Sequence, residues 1–342
     1  MTSIYVTFVA TFAMGLAASA QTPEYPACNP DTLQTYALLG PVKSVRVEES
    51  TADGRRELTA RYTFDRAGRL LENRSQTVVG NSPEQTGYQV FRFVYEQQGR
   101  NYEIDMFGID PAHGETPVDL QRHLVTFDSL GRCIEERDID SDGEANGRNT
   151  YEYDSRGDLV REIERNSDNS FFAIENRSYS PDHKLLSEKT IENRGEGLPY
   201  QWSREYRYDA RGNQTDMFSY QQGLLEAHWI HKYDERNRLI SSETIVADSQ
   251  KDQQVYGKCF DCGLSSGETT YTYDDSGHVT EERIFQPGNK LVSVQGHLYD
   301  AHGNPLPSAD TVYLYDPHGN WIKEIIPSRT SARIRYRVIE YY

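Results

Sequence analysis

Aromatic residues separated by one polar residue recur along the chain, and the same short polar sequence follows each of them. In its fullest form the pattern is aromatic-x-aromatic-Asp-x-x-Gly, then a basic or polar residue and often Leu, as in residues 62–70. It occurs ten times, and the residue before the Asp position is aromatic in every copy. These residues are Phe64, Tyr95, Phe127, Tyr153, Tyr179, Tyr208, Tyr233, Tyr273, Tyr299 and Tyr315. Such a recurrence predicts an array of repeated structural units.

Each copy predicts a β-hairpin. Residues two apart in a strand point to the same face, so the aromatic residues line one face and the polar residues between them line the other. Asp begins a turn by accepting backbone N–H bonds, and the residue three positions later must adopt positive φ, which suits Gly. That position is Gly in eight copies, and His183 and Asn237 in the other two also tolerate this conformation. The return strand then presents Leu to the aromatic face, and Cys133 takes that place in one copy, so we expect it to be buried.

Ten hairpins predict an all-β fold, with the repeats forming one long antiparallel sheet that coils because strands twist. The ends of such an array need protection, because an uncovered sheet edge promotes aggregation. Asn29-Pro30 and Gly40 are typical of a helix start and a helix end, which predicts a short capping helix over about 30–39. At the other end, three arginines predict a last strand that repels edge pairing, or alternatively an anion-binding patch. They are Arg333, Arg335 and Arg337.

The first 20 residues carry no charge and predict a secretory signal peptide. An apolar run from Ile4 to Leu16 leads into Ala18-Ser19-Ala20, a small-x-small cleavage site before Gln21. About 13 apolar residues are too few to span a bilayer as a helix. We therefore expect an exported protein, periplasmic or secreted, without a transmembrane segment in its mature chain. The expected domains are the signal peptide 1–20, an N-terminal segment with the capping helix 21–41, and the hairpin array 42–342.

Four cysteines lie beyond the predicted cleavage site. An even number in an exported chain favours disulfides over free thiols or zinc, and three pairings are possible. Cys259 and Cys262 form a CxxC sequence in a Gly- and Ser-rich stretch before a strand, whereas redox motifs of this kind lie at a strand-to-helix turn. We expect Cys259 to pair with Cys262 and Cys28 with Cys133, which would join the N-terminal segment to the third hairpin.

Composition narrows the class of function. The 342 residues include 36 Lys and Arg against 53 Asp and Glu, for a formal net charge of −17, and 36% are apolar. The negative charge argues against binding nucleic acid, and the apolar share argues against a polytopic membrane protein. No convergent catalytic set is visible, because the repeat Asp residues serve turns, so we expect no enzyme. The alternative is a carbohydrate-active or proteolytic enzyme that uses carboxylates lining the curved sheet.

One loop has the spacing of a calcium site, with carboxylates at positions 1, 3 and 5 and Gly at position 6. Position 12 is Asn149 rather than a bidentate Glu, so calcium affinity should be weak. The alternative is a polar hairpin connection that ends in a turn at Asn146-Gly147. Calcium is the one candidate cofactor, and its candidate ligands are Asp138, Asp140, Asp142 and Glu144.

A long curved surface rich in Tyr suits stacking against sugars or gripping a peptide. We therefore expect the partner to be a glycan or an extracellular protein, and the chain to be a monomer. Three tryptophans are candidate exposed anchors, although each also suits core packing. They are Trp202, Trp229 and Trp321.

The sequence Tyr-Thr-Phe-Asp-Arg-Ala-Gly-Arg-Leu at residues 62–70 resembles the YD repeat, also called the RHS repeat, of Rhs-type and teneurin-type proteins. The resemblance covers residues 42–342. In large family members these repeats spiral into a hollow β-shell around a toxin or other cargo. This chain has fewer repeats and neither a Rhs-core cleavage segment nor a C-terminal toxin domain, so it resembles small exported bacterial members. With no catalytic set visible and a Tyr-rich surface, we expect a non-enzymatic repeat scaffold or binding module, or alternatively a component of an envelope or toxin-delivery assembly.

Overall fold

The computed structural model describes residue 28 and residues 32–51, 54–78, 86–96, 101–110, 114, 116–193, 195, 197–247, 265–308, 310–327 and 332–342. This part of the chain consists of strands, turns and bends. It contains no helix, and therefore none that is long and apolar enough to cross a membrane. The strands in chain order are β1 Val42–Ser50, β2 Arg56–Phe64, β3 Leu70–Val78, β4 Thr86–Tyr95, β5 Tyr102–Ile109, β6 Pro117–Phe127, β7 Cys133–Ile139, β8 Ala145–Tyr153, β9 Leu159–Asn166, β10 Phe171–Tyr179, β11 Leu185–Glu192, β12 Tyr200–Tyr208, β13 Gln214–Gln221, β14 Leu224–Tyr233, β15 Leu239–Val246, β16 Gly267–Tyr273, β17 Val279–Gln286, β18 Lys290–Gly296, β19 Leu298–Tyr299, β20 Pro305–Leu306, β21 Val312–Tyr315, β22 Trp321–Ile326 and β23 Arg333–Tyr341.

One antiparallel sheet of 21 strands contains every strand except β19 and β20, which pair with each other. From β1 to β18, each strand pairs with the next one in the chain, as hairpin repeats require. The expectation of an all-β hairpin array in one long antiparallel sheet is confirmed.

The first and last strands of the chain, β1 and β23, do not lie at the edges of the sheet. Strand β23 pairs with β1 over a register that runs from Tyr341 opposite Val42 to Arg335 opposite Glu49. The expectation that the arginines of the last strand protect a free edge is therefore wrong, because that strand lies between β22 and β1. The outermost strands of the described sheet are β18 and β21, and β18 is exposed along its whole length.

The repeat hairpins other than those at Tyr95 and Tyr299 contain a register shift at the second aromatic residue. In the β2–β3 hairpin the shift falls between Thr63 and Phe64, and it places Phe64 directly opposite Leu70. Positive φ occurs at the turn position that the sequence predicted, including 94° at Gly157, 63° at His183 and 61° at Asn237. Below, the sheet face that carries the second aromatic residue of each repeat is called the Tyr face.

The predicted capping helix is absent from residues 32–39, the part of its range that the structure describes. Within the predicted range, residues 33–37 form consecutive turns, and Ala37 adopts φ of 49°, which no right-handed helix accommodates. In a helix, the spacing of Leu33, Tyr36, Ala37 and Leu39 would place them on one buried face. Instead, the turns expose 55% of Leu39 and leave only 6% of Leu38 accessible. The segment also covers no sheet edge, because it packs on the Tyr face against buried residues such as Val45 and Phe64.

Candidate functional site

In eight of the ten repeats the hairpin turn is held by an Asp side chain. In the β8–β9 hairpin, Oδ1 of Asp154 accepts hydrogen bonds from the backbone N–H groups of Arg156 and Asp158, at 2.8 and 2.9 Å. The β6–β7 turn is built in the same way, and the hydrogen bond from the Arg132 backbone N–H lowers the pKa of Asp128. The turn chemistry predicted from the sequence is therefore present.

Tyrosine hydroxyls join each of several hairpins to the one before it. Tyr153 Oη donates a hydrogen bond to the backbone carbonyl oxygen of Cys133, the first residue of the preceding return strand, at 2.7 Å. The same bond joins Tyr95 to Leu70, Tyr179 to Leu159, Tyr208 to Leu185, Tyr233 to Gln214 and Tyr273 to Leu239. The basic residue after the turn Gly often lies over the same ring, as Arg69 does over Tyr95 at 4.1 Å. The repeat Tyr is therefore both an apolar residue and a hydrogen-bond donor.

Residue 28 and residues 32–40, called the strap below, lie on the Tyr face. Cys28 forms a disulfide with Cys133, with 6.1 Å between their Cα atoms, as expected from the sequence. Cys133 is buried, which confirms that expectation too. The backbone N–H of Leu33 donates to the Gly68 carbonyl at 3.0 Å, and the ring of Tyr36 lies 4.5 Å from that of Tyr62.

The C-terminal end of the strap is fixed by one side-chain amide. Asn320 follows the turn glycine of the β21–β22 hairpin. Its Oδ1 accepts from the Leu39 backbone N–H at 2.7 Å, and its Nδ2 donates to the Leu39 carbonyl at 2.8 Å. The same Nδ2 also donates to Tyr341 Oη at 2.8 Å. The strap is therefore attached to the sheet by a disulfide at one end and by this amide at the other.

The first residue of the return strand is buried in the hairpins near the strap and partly exposed in the hairpins further along the sheet. Leu70, Cys133 and Leu159 are fully buried where the strap crosses the Tyr face, and they belong to the two apolar clusters that the strap completes. The equivalent residues further along the sheet keep partial exposure; they are Leu185, Leu239 and Val279. The aromatic residues beside them are also half-buried; they are Tyr206, Tyr208, Tyr233, Tyr271 and Tyr273. Below, the Tyr face of β11–β17 is called the open stretch.

Carboxylates line the Tyr face next to the open stretch. Glu162 on β9 lies directly opposite Glu175 on β10, and Arg177 contacts both of them. Its Nε donates to Glu175 at 2.5 Å, and its Nη2 lies 3.5 Å from Glu162. Burial raises the pKa of Glu162 to about 7, since the attraction of Arg177 is offset by the carboxylates of Glu175 and Glu136. Glu162 therefore carries a proton over much of the range below neutrality.

A second buried carboxylate lies beside the disulfide. Glu136 on β7 accepts a hydrogen bond of 2.6 Å from Tyr151 Oη, and its Oε1 lies 3.7 Å from His123 Nε2. His123 Nδ1 lies 2.7 Å from Asp138. Burial alone would lower the pKa of His123, but its contacts with Asp138 and Glu136 raise it to about 9. The imidazole is therefore a cation at neutral pH.

The third carboxylate reaches the open stretch. Glu188 on β11 is buried and accepts hydrogen bonds from Arg204 at 3.0 Å and Tyr206 at 2.7 Å. Burial and the hydrogen bond to Glu188 raise the pKa of Tyr206, so its hydroxyl stays protonated. These contacts fix the two side chains between the tryptophans of β12 and β14.

The structure places the three candidate tryptophans on the Tyr face, half-buried and not together. Trp202 on β12 lies opposite Gln221 on β13. Trp229 is two strands away from Trp202, on β14, and lies opposite Met217 on β13. Trp321 is on β22, where the Arg337 guanidinium lies 3.8 Å from the centre of its ring. Trp202 and Trp229 therefore lie within the open stretch, while Trp321 packs beneath an arginine.

Sequence reasoning missed Gln221. This residue is only 6% exposed, its Nε2 donates to Tyr200 Oη at 2.5 Å, and its Oε1 has no hydrogen-bond partner. A buried amide with an unpaired acceptor is uncommon in folded proteins.

The candidate calcium ligands lie in the β7–β8 hairpin. The backbone N–H of Gly143 donates to the backbone carbonyl oxygen of Asp140, as the turn glycine does in the repeat turns. Asp142 Oδ1 accepts a hydrogen bond from the Glu144 backbone N–H. Asp138 is paired with His123 as described above, and no three of the four carboxylates converge closely enough to share an ion. The turn expected at Asn146-Gly147 is wrong, because both residues lie within β8. Cys259 and Cys262 lie outside the described residues.

Comparisons with known proteins give distant likenesses. The sequence matches no family model and no curated protein. A porin-like protein from Bacteroides uniformis ATCC 8492 is similar in structure, with 12% identity, a TM-score of 0.32, and coverage of 88% of this chain and 98% of that chain. The TcdB2-TccC3-Cdc42 structure is also similar, with 11% identity and a TM-score of 0.27, over 84% of this chain and 22% of that chain. Values this low establish neither a shared topology nor a shared function.

Proposed function

We propose that this chain is an exported YD-repeat protein that binds an extended polypeptide on the open stretch of its Tyr face. The observation that carries the proposal is the strap, an irregular polypeptide segment already seated on this face. Leu70 is buried with the strap residue Leu38 and Leu159 belongs to the cluster that contains Cys28, whereas the equivalent Leu185 and Leu239 are only half-buried. The open stretch therefore offers the same surface without the same cover.

The strap also favours a polypeptide over a glycan. It contacts the Tyr face through apolar side chains, such as Leu33 and Leu38, and through backbone hydrogen bonds such as that to Gly68. Half-buried Leu and Val positions on the open stretch suit side chains of this kind, because burying them removes further apolar area from water. Sugar stacking on Trp202 or Trp229 is the competing mode, and the experiment below separates the two.

The test uses the full mature chain against an extended-peptide array and a glycan array. Leu239→Asn places a polar group in the open stretch and should reduce peptide binding at least tenfold, while a matched change at the exposed edge, Leu291→Asn, should leave it unchanged. Trp229→Ala, checked for folding by circular dichroism, is a second variant that should also weaken binding. Binding to glycans alone, or equal effects of the two asparagine variants, would overturn the proposal.

The family and the compartment rest on separate support. The hairpins, Asp turns and Tyr–carbonyl bonds fit the repeat resemblance at residues 62–70, and the Cys28–Cys133 disulfide fits an oxidising compartment. N-terminal sequencing of the mature protein should begin at or near Gln21. The alternative role, as a component of an envelope or toxin-delivery assembly, is tested by co-purification of partners from the native host.

A second candidate function is hydrolysis by the carboxylates of the Tyr face. The observation in its favour is Glu162, whose pKa is raised to about 7 by burial and which lies directly opposite a second carboxylate, Glu175. A hydrolysis screen against glycosides and peptides should find activity that Glu162→Gln abolishes. Activity that survives this substitution excludes the pair.

A further inference from the structure

We infer that the polypeptide bound by the open stretch carries Lys or Arg side chains, which lie against the carboxylates at its β9–β11 border. The inference rests on the proposed function and names the chemistry of the partner. The open stretch continues the surface that the strap already covers, so the two segments would lie on one face in the same manner.

The first argument is the charge of the face beneath each segment. Residues 32–40 of the strap contain no charged side chain, and they lie over an apolar cluster that includes Val42, Val45 and Phe64. The Tyr face changes character from β7 onward. Its carboxylates over β7–β11 are Glu136, Asp138, Glu162, Glu164, Glu175, Glu188 and Glu192. The uncharged strap complements the apolar part of the Tyr face, and by the same reasoning a basic segment complements the acidic part over β7–β11.

The second argument is that, among the residues the structure describes, this part of the Tyr face carries fewer cationic side chains than carboxylates. On the Tyr face of β6–β12 the cationic side chains are His123, Arg177 and Arg204. The consequence is visible at Glu164, where burial together with Glu192 and Asp138 raises the pKa. Each added ammonium or guanidinium group would remove like-charge repulsion that the fold now sustains.

The third argument is independent of the carboxylates. The row of side chains that crosses the sheet from Glu162 runs through Glu175, Thr190 and Trp202 to Gln221. Its far end holds the unpaired Oε1 of Gln221, which accepts hydrogen bonds and is almost fully buried. A ligand with N–H donors satisfies this atom.

The experiment uses three synthetic peptides of one length with identical Leu and Tyr positions and with Lys, Gln or Glu at the alternate positions. Fluorescence anisotropy with the full mature chain should show the Lys peptide binding at least tenfold more tightly than the Gln peptide, with the Glu peptide weakest. In Glu162→Gln/Glu175→Gln the Lys preference should fall below threefold. Glu162→Gln alone should give an intermediate preference.

The matched control is Glu152→Gln/Glu235→Gln, which removes the same charge from an exposed strand position and an exposed turn. It separates a local site from general attraction to a chain of net charge −17. An equal loss of Lys preference in both double variants overturns the inference, and so does equal binding of the Lys and Gln peptides. In that last case the proposed function stands, whereas failure of all three peptides to bind overturns the proposed function itself.

Discussion

Tyr208 Oη donates a hydrogen bond of 2.8 Å to the backbone carbonyl oxygen of Leu185, which begins the return strand of the preceding hairpin. The bond links residues 23 positions apart and is repeated at five other hairpins. It explains why the position before the turn is Tyr more often than Phe, since a phenyl ring fills the same space but donates nothing.

Replacing Tyr208 by Phe should lower the free energy of unfolding by about 1 kcal/mol, because the Leu185 carbonyl loses its donor. Urea denaturation measures this change. Tyr299→Phe is the matched control, because Tyr299 occupies the same repeat position and contacts His278 through its ring, 4.5 Å away. Equal losses in the two variants would show that the hydrogen bond is not the cause.

The strap should contribute strongly to stability through Leu38. Leu38→Ala removes a side chain that is only 6% exposed and should cost about 2–4 kcal/mol by leaving a cavity above Val45 and Phe64. The neighbouring Leu39 is 55% exposed, so Leu39→Ala should change stability by less than about 1 kcal/mol. Thermal melts of the two variants under oxidising conditions compare them directly. Reversal of this order would place the strap differently on the sheet.

The hairpin repeat was predictable because local chemistry determines it. Asp, Gly and the aromatic residue act within one turn, and the structure places Gly157 and Asn237 in the backbone conformation that their positions required. The N-terminal segment was not predictable in the same way. Its helical spacing was outweighed by contacts with hairpins distant in sequence, such as Leu39 with Asn320. The partner of β1 was missed for the same reason, since pairing with β23 is a contact between chain ends.

The candidate site was predictable only in part. The strand period correctly places Trp202 and Trp229 on one face, but it gives no information on which part of that face the strap covers. Carboxylates at Glu162 and Glu175 read as ordinary polar strand residues in the sequence. Their juxtaposition depends on the register of β9 against β10, which no local motif specifies.

The turn glycines should be required for their backbone conformation rather than for space. Gly157 has φ of 94°, and an added Cβ there would meet no atom within 4 Å. Gly157→Ala should therefore cost about 1–2 kcal/mol through backbone strain alone. Gly296 is equally uncrowded but has no positive φ, so Gly296→Ala should be neutral or slightly stabilising. Chemical denaturation of both variants checks the contrast, and equal costs would contradict it.

Stability should fall as the pH rises from about 4.5 to about 7. Over this range the folded state holds a proton on Glu162 that the unfolded chain releases, because the pKa is raised from its ordinary value of 4.5 to about 7 on folding. A group whose pKa is higher in the folded state stabilises the fold at low pH and loses that contribution as it ionises. The charged neighbours that shift the pKa of Glu162 are Glu136, Glu164, Glu175 and Arg177.

Glu162→Gln should flatten this part of the pH profile and raise the free energy of unfolding at pH 8 by about 1–3 kcal/mol. Urea denaturation between pH 5 and pH 8 measures the profile. Glu152→Gln, on the exposed side of the neighbouring strand, is the matched control and should leave the profile unchanged. His123 acts in a separate range, since its contribution is lost only as pH rises through about 9. A profile that falls only above neutral pH would assign the effect to His123.

Calcium should leave the thermal stability unchanged, although the sequence from Asp138 to Glu144 has the spacing of a calcium loop. Asp138 lies 2.7 Å from His123, whose pKa of about 9 keeps it cationic at neutral pH, so the charge that calcium would balance is already partly balanced. Asp142 accepts the Glu144 backbone N–H, and the hairpin turn closes without an ion. A site filled at a hundredfold excess over Kd would add about 2.7 kcal/mol, a shift of several degrees in Tm. Melts with millimolar calcium and with chelator should therefore coincide, and a calcium-dependent shift that Asp140→Ala abolishes would establish the site instead.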